Sequence, residues 1–199
     1  MSRPAPDLLN ALRPVIAAFE RLGVAYFVGG SVASSAYGLP RTTLDVDLVA
    51  DLKTVHVEPF VQALEADYYV SASMIGEALA QRSSFNVIHF ATMLKLDVFV
   101  LGATAYDQEA FRRAQALHAP AKALPAVLAA AEDVVLHKLL WYRMGDEVSE
   151  RQWGDVLGVL KVQGEALDAT YLRRWAASLG VSDLLARALG EAGLPLLDA

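Results

Sequence analysis

The sequence predicts an α+β protein: a mixed β-sheet lobe flanked by helices over residues 1–127, then a helical C-terminal lobe over residues 128–199, the two packed as one compact unit. Three patterns carry this expectation. Leu44, Val46 and Leu48 alternate with Asp45 and Asp47, the period-two signature of a strand with one buried face. Residues 84–90 and 94–101 are separated only by Ala91-Thr92-Met93 and read as a β-hairpin. From Ala129 onward the apolar spacing becomes helical, with Val134, Val135, Leu136, Leu139 and Leu140 in one helix.

Taken in chain order, Leu8, Leu12, Val15, Ile16, Phe19 and Leu22 recur at helical spacing behind Asp7, a candidate N-cap, and Gly23 supplies a stop. Pro14 predicts a bend in this helix. Residues 24–28 are rich in β-branched and aromatic residues and run into Gly29-Gly30, as a buried strand entering a tight turn. Ser31 then reads as the N-cap of a short helix over residues 32–37, closed by Gly38 and Pro40. Beyond the aspartate strand, Val57, Phe60, Val61 and Leu64 mark a helix, residues 68–71 a short strand, and Met74, Ile75, Ala78 and Leu79 another helix. Residues 115–127, with prolines at 120 and 125, have an ambiguous pattern in which edge strands are one reading. In the second lobe Ser149-Glu150-Arg151-Gln152 has the form of a capping box, and Asp168 and Ser182 are candidate caps of two further helices.

At 199 residues with 55% hydrophobic and 20% charged content, the chain can bury a sizeable core and does not have the composition of a disordered protein. No apolar run reaches the roughly 18 residues a membrane span requires, so no membrane association is expected. The opening residues lack the apolar core of a secretory signal and the chain has no cysteine, which makes a cytoplasmic location the default expectation. A net charge of −6 argues against a broad nucleic-acid footprint. Arg112-Arg113 and Arg173-Arg174 are candidate local basic patches, though solvated element ends are the simpler reading.

The chemistry concentrates in the aspartates. Asp45 and Asp47 at i and i+2 project from one strand face with side-chain origins roughly 7 Å apart, close enough to share a metal site. Asp97 has the same setting, with Lys95, Asp97 and Phe99 on one face and Leu94, Leu96, Val98 and Val100 on the other. If the two strands are neighbours, three carboxylates converge, and their mutual repulsion calls for a cation. Mg²⁺ or Mn²⁺ suits such oxygen ligands, with substrate phosphates and water completing the shell. Gly29 and Gly30 permit close backbone approach to phosphates, Ser31 adds a hydroxyl, the following helix offers free amide donors, and Arg41 adds positive charge. Each element alone is commonplace; the ordered set points to phosphoryl or nucleotidyl transfer. His89 and His137 have no metal-ligand spacing to another histidine, and Trp141, Trp153 and Trp175 fall at helical positions expected to lie in the core.

Val28-Gly29-Gly30-Ser31, followed by Pro40-Arg41-Thr42-Thr43-Leu44-Asp45-Val46-Asp47-Leu48, resembles the signature of the polymerase-β-like nucleotidyltransferase superfamily, with Asp97 of Leu96-Asp97-Val98 as its third carboxylate. The Arg-x-Thr-x-Asp-x-Asp form is most similar to AbiEii-type abortive-infection and toxin-like nucleotidyltransferases and related bacterial proteins. The resemblance covers roughly residues 20 to 160 and is specific over residues 27 to 48. The glycine turn lies far from Asp45 for that pattern, and Gly30-Ser31 as the functional pair makes the spacing comfortable. Glu132-Asp133-Val134-Val135-Leu136-His137-Lys138 looks like the family's lysine helix, and Asp155 in Trp153-Gly154-Asp155-Val156-Leu157 is similar to its later acidic motif. Lys138 can approach a phosphate while Asp155 orients it or acts as a base; equally, the two can simply pair across packed helices.

The resemblance implies a nucleotidyltransferase-type fold and a Mg²⁺- or Mn²⁺-dependent enzyme that moves an NMP from an NTP, its substrate, to tRNA or a protein, in a toxin–antitoxin or phage-defence setting with an antitoxin partner. In that reading Asp45, Asp47 and Asp97 hold the metal and are catalytic together with Lys138 and Asp155, while Gly29, Gly30, Ser31 and Arg41 bind the nucleotide. The alternative is a non-catalytic nucleotide-binding or protein-interaction module that retains the fold. Retention of all three aspartates speaks against it.

Overall fold

The computed structural model describes residues 6–43, 45–116 and 126–195. In chain order these form α1 (Pro6–Arg21), β1 (Tyr26–Val28), α2 (Gly30–Tyr37), β2 (Asp45–Ala50), α3 (Val57–Leu64), β3 (Tyr68–Tyr69), α4 (Ala72–Gln81), β4 (Ser84–His89), β5 (Lys95–Val100), α5 (Ala105–Ala116), α6 (Ala131–Met144), α7 (Glu150–Gln163), α8 (Ala169–Leu179) and α9 (Ser182–Ala192), with 3-10 turns at Thr54–His56 and Gly164–Ala166. The chain divides into two compact units. One takes the chain up to Gly29 together with Thr42–Leu128, the other Gly30–Arg41 together with the chain from Ala129. Residues 30–41, read from sequence as part of the first lobe, thus belong with the C-terminal helices.

The first unit is built on a five-stranded mixed sheet in the order β1-β2-β5-β4-β3. β2 and β5 run parallel and every other pair is antiparallel. The alternation read from sequence is realised: Val46, Leu48, Ala50, Leu96, Val98, Phe85 and Val87 are buried on one face. On that side Phe19 of α1 stacks on Phe60 of α3 at 4.9 Å, and Phe60 meets Phe85 of β4 edge-on at 6.3 Å. Burying each such ring stabilises the fold by about 1.5–3 kcal/mol, which fixes which sheet face turns inward. The edge strand β3 is tied to α1 by the Tyr68 hydroxyl, which donates to the Ala11 carbonyl at 2.9 Å.

Local signals set most boundaries. α1 ends with paired bonds from Gly23 to Glu20 and from Val24 to Phe19, the two-bond closure of a helix C-terminus. Asp7 lies in the first turn of α1 and not at its N-cap, and the helix runs unbroken through Pro14. The expected edge strands over residues 115–127 are corrected in part: Gln115 and Ala116 end α5, residues 117–125 lie outside the described residues, and Leu128 forms an isolated parallel bridge to Val28. α5 itself escaped the sequence reading. Its signal was present, because Asp107 donates its amide to Thr104 Oγ1 at 3.1 Å while the Thr104 amide donates to Asp107 Oδ2 at 3.1 Å, a reciprocal cap.

In the second unit α6 and α7 pack together and α2 lies against both. Val135, Leu136 and Leu139 of α6 and Val156, Val159 and Leu160 of α7 are fully buried. Just beyond α2, Gly38 touches α7 so closely that a β-carbon there would lie 2.7 Å from the Val159 amide nitrogen and 2.8 Å from the Gly158 carbonyl carbon. Only hydrogen fits. Ser149 caps α7 by accepting from the Gln152 amide, and Asp168 caps α8 by accepting from the Tyr171 amide. Ser182, expected to cap, is instead the first residue of α9, with Val181 at the N-cap. Trp153 and Trp175 are buried as expected, but Trp141 is 49% exposed and is not a core residue. No helix among the described residues is long and apolar enough to cross a membrane.

Candidate active site

The parallel pairing of β2 with β5 decides where the aspartates lie. Asp47 is in register with Asp97, and Asp45 with Lys95. Because side chains alternate, all four project from the sheet face opposite the buried one. Asp45 is exposed, and Asp47 and Asp97 are half-buried. The three carboxylates expected from sequence are therefore brought onto one face of two adjacent strands. Thr43, to which the sequence reading gave no role, bonds through Oγ1 to the Asp45 carbonyl at 3.0 Å and steadies the start of β2. The Gly29 amide donates to the Asp47 carbonyl at 2.9 Å, tying the end of β1 to the aspartate strand. Gly30 follows at φ +51, a left-handed conformation that any other residue would hold under strain.

A cation stands among these acids. Lys95 Nζ lies 2.8 Å from Asp97 Oδ2. That bond raises the Lys95 pKa, against a smaller opposing effect of partial burial, and the charges of Asp97, Asp45 and Asp47 add to it. Among the described residues no three or more His, Cys, Asp or Glu side chains are placed so that together they could hold a metal ion. The donor chemistry nevertheless fits a hard divalent ion: carboxylate oxygens at facing register on rigid strands, on a face that is not fully buried. Asp45, Asp47 and Asp97 offer carboxylate oxygens on that face, and an ion there would take its remaining ligands from water or substrate.

The second unit gathers the remaining candidates around Asp155. Arg41 Nε and Nη2 donate to Asp155 Oδ1 and Oδ2 at 2.7 and 2.8 Å, a two-pronged fork, and Lys138 Nζ lies 2.6 Å from Oδ2. Arg41 Nη2 also donates to Ser31 Oγ in a short bond. Ser31 lies inside the first turn of α2, not at its N-cap as expected. The side chains of Lys138 and Asp155 are 5% and 7% exposed, so this is a buried ion cluster with two positive groups and one negative. Burial alone would push the Asp155 carboxyl upward, but the bonds from Arg41 and Lys138 outweigh it and hold the group below the ordinary range. Lys138 and Asp155 do pair across the packed helices α6 and α7. With both oxygens engaged, Asp155 is suited to holding two cations in place.

His89 is half-buried, with Nδ1 2.8 Å from Thr92 Oγ1 and its ring against Tyr68 at 4.9 Å, a turn-stabilising role. His137 is half-buried on α6. Lys95 was legible as a face-mate of Asp97 by alternation, but its ion pair was not.

No protein-family model matches the chain, and no match to it was found among curated proteins. Solved structures do match. ANT(2'')-Ia in complex with adenylyl-2''-tobramycin superposes with a TM-score of 0.56 at 11% identity, over 87% of this chain and 97% of that one. The solution structure of the antibiotic-resistance factor ANT(2'')-Ia gives 0.51 at 15% identity, over 86% and 95%. An antigenic nucleotidyltransferase-like protein from Paracoccidioides brasiliensis gives 0.51 at 15% identity, over 96% and 94%. The fold is therefore a nucleotidyltransferase-type α+β fold, with a five-stranded mixed sheet and flanking helices.

Proposed function

We propose that this chain is a divalent-metal-dependent nucleotidyltransferase that moves an NMP from an NTP to an acceptor. The observation that carries the reading is the register of β2 and β5, which puts Asp47 beside Asp97 and both on the face that bears Asp45. A purely binding module has no need of three carboxylates whose mutual repulsion must be offset. Mg²⁺ or Mn²⁺, when bound, would neutralise charge on the phosphates and on the attacking and leaving oxygens of an in-line displacement. Asp45, Asp47 and Asp97 would hold the ion, and Asp97 would also draw the proton from the acceptor hydroxyl. Within the second unit Arg41, Lys138 and Ser31, gathered around Asp155, are that unit's candidate phosphate-binding group. Gly29 and Gly30 keep the chain bare of side chains where a phosphate would approach.

Acceptor and biological setting rest on resemblance. The AbiEii-like motif implies tRNA or a protein as acceptor, with an antitoxin partner, in toxin–antitoxin or phage defence. The acidic balance of the chain favours a neutral or cationic acceptor over a long polyanion, and ANT(2'')-Ia, held with an adenylylated aminoglycoside, adds small-molecule hydroxyls to the candidates.

Purified chain incubated with each α-labelled NTP and Mg²⁺ or Mn²⁺, together with total tRNA, cell extract or an aminoglycoside panel, should transfer label to one acceptor class. Asp45→Ala and Asp47→Ala should each lower that transfer by about a hundredfold or more. Transfer that survives both substitutions refutes the mechanism. Nucleotide binding with no transfer to any acceptor favours the non-catalytic alternative.

A further inference from the structure

The ion pair of Lys95 with Asp97 has a consequence for how the acidic face is loaded. Lys95 is in register with Asp45 and is separated from Asp97 by one residue on β5, so it shares a sheet face with Asp45, Asp47 and Asp97 and feels the charge of all three. It is bound to one of them at 2.8 Å, on an oxygen that a metal would use. Its side chain is 42% exposed and that of Asp97 17%, so the lysine can swing out on its four-carbon stem without unpacking the sheet. The buried face beneath, Leu96 and Val98, is unaffected by which way Lys95 points.

We infer that Lys95 is a tethered counter-ion that occupies Asp97 in the metal-free protein and competes with the divalent ion for it. The inference rests on the metal-dependent reading of Asp45, Asp47 and Asp97. Among the described residues the face bears Asp45, Asp47 and Asp97, with Lys95 as a cation beside them. A divalent ion must break the Lys95–Asp97 pair and then sit beside the displaced ammonium. Lys95 therefore stabilises the empty site and weakens metal binding, which biases loading toward an ion that arrives with its own phosphate oxygens. Once displaced, the ammonium is a cation next to those phosphates. Lys95 is a positioning and affinity-setting residue on this account, not a metal ligand.

The direct test is Mn²⁺ binding by electron paramagnetic resonance, in the absence of nucleotide, on the full chain and on Lys95→Met, Lys95→Arg and a charge-matched control, Lys53→Met, beyond the far end of β2. A unit charge about 5 Å from a divalent ion in a water-like dielectric is worth roughly tenfold in affinity. Lys95→Met should therefore bind Mn²⁺ roughly tenfold more tightly than wild type, whereas Lys95→Arg and Lys53→Met should stay within about twofold of it. Thermal melts give a second readout: Lys95→Met should melt below wild type without metal and regain the difference as Mn²⁺ is added, whereas a merely structural lysine would leave a deficit that metal does not repair. Mn²⁺ binding by wild type that is unchanged or weaker in Lys95→Met overturns the inference and leaves the metal-dependent reading standing. No Mn²⁺ binding by either protein overturns both.

Discussion

Asp155 shows how much one carboxylate can organise. Its two oxygens hold Arg41 by a fork and Lys138 by a third contact, on side chains drawn from a loop and two helices. Substituting Asn keeps the shape but removes the charge, leaving Lys138 buried opposite a neutral amide. Breaking a buried pair from one side costs about 3–5 kcal/mol, because the remaining charge stays buried without that counter-charge. Asp155→Asn should therefore lower unfolding free energy by about 3 kcal/mol in urea titrations. A loss under about 1 kcal/mol would mean that Lys138 finds another partner. Lys138→Met should be milder, since Asp155 keeps the Arg41 fork.

At the scale of elements, glycines separate contact from propensity. Gly38 presses against the backbone of α7, with no space for a β-carbon. Gly38→Ala should thus cost about 1–3 kcal/mol by forcing the end of α2 away from α7. Gly76, inside α4, presents the opposite case: a β-carbon added there would meet nothing within 4 Å. Gly76→Ala should stabilise by roughly 0.5–1 kcal/mol through the greater conformational freedom glycine loses on folding. Both changes are read from denaturant midpoints, and the same sign for the two would contradict the packing described. Element-level legibility followed the same divide. β2, α1, α3, α4 and α6 were readable because their apolar residues repeat with a fixed period, and α7 and α8 because Ser149 and Asp168 mark their starts. α5 was missed because its apolar stripe is weak and the Thr104–Asp107 cap carries the signal. Trp141 was misplaced because helical spacing says that a residue has helical neighbours, not which side of the helix is covered.

For the whole molecule, titration sets two limbs of stability. Asp155 is held below the ordinary carboxylate range in the folded protein, against its own burial, by Arg41 and Lys138. Its contribution is complete above the unfolded value near 3.8 and disappears as pH falls through the lower folded value. Melting temperature should fall below about pH 4, and Asp155→Asn should flatten that limb. At the other end, burial, aided by Glu20 in one case and Asp67 in the other, raises Tyr26 and Tyr68 from 10.0 to about 12. Both core phenols must stay neutral in the folded state, so stability present below pH 10 should be lost as pH rises toward about 12. Tyr68→Phe should soften that loss while costing the Ala11 bond, and an alkaline melt series measures it. An unchanged alkaline limb in Tyr68→Phe would remove Tyr68 from the account.

The sequence by itself determined the alternating strands, the faces on which Asp45, Asp47 and Asp97 lie, the glycine turn and the helical C-terminal region, because backbone periodicity and turn chemistry are local. Only the tertiary structure decided that β2 runs parallel to β5 with Asp47 against Asp97, that Lys95 reaches Asp97, that residues 30–41 belong with the helices, and that Asp155 is shared by Arg41 and Lys138. Most of those facts depend on register and packing between segments far apart in the chain. Hydrophobic burial drives such segments together, and no local period encodes which polar side chains then meet.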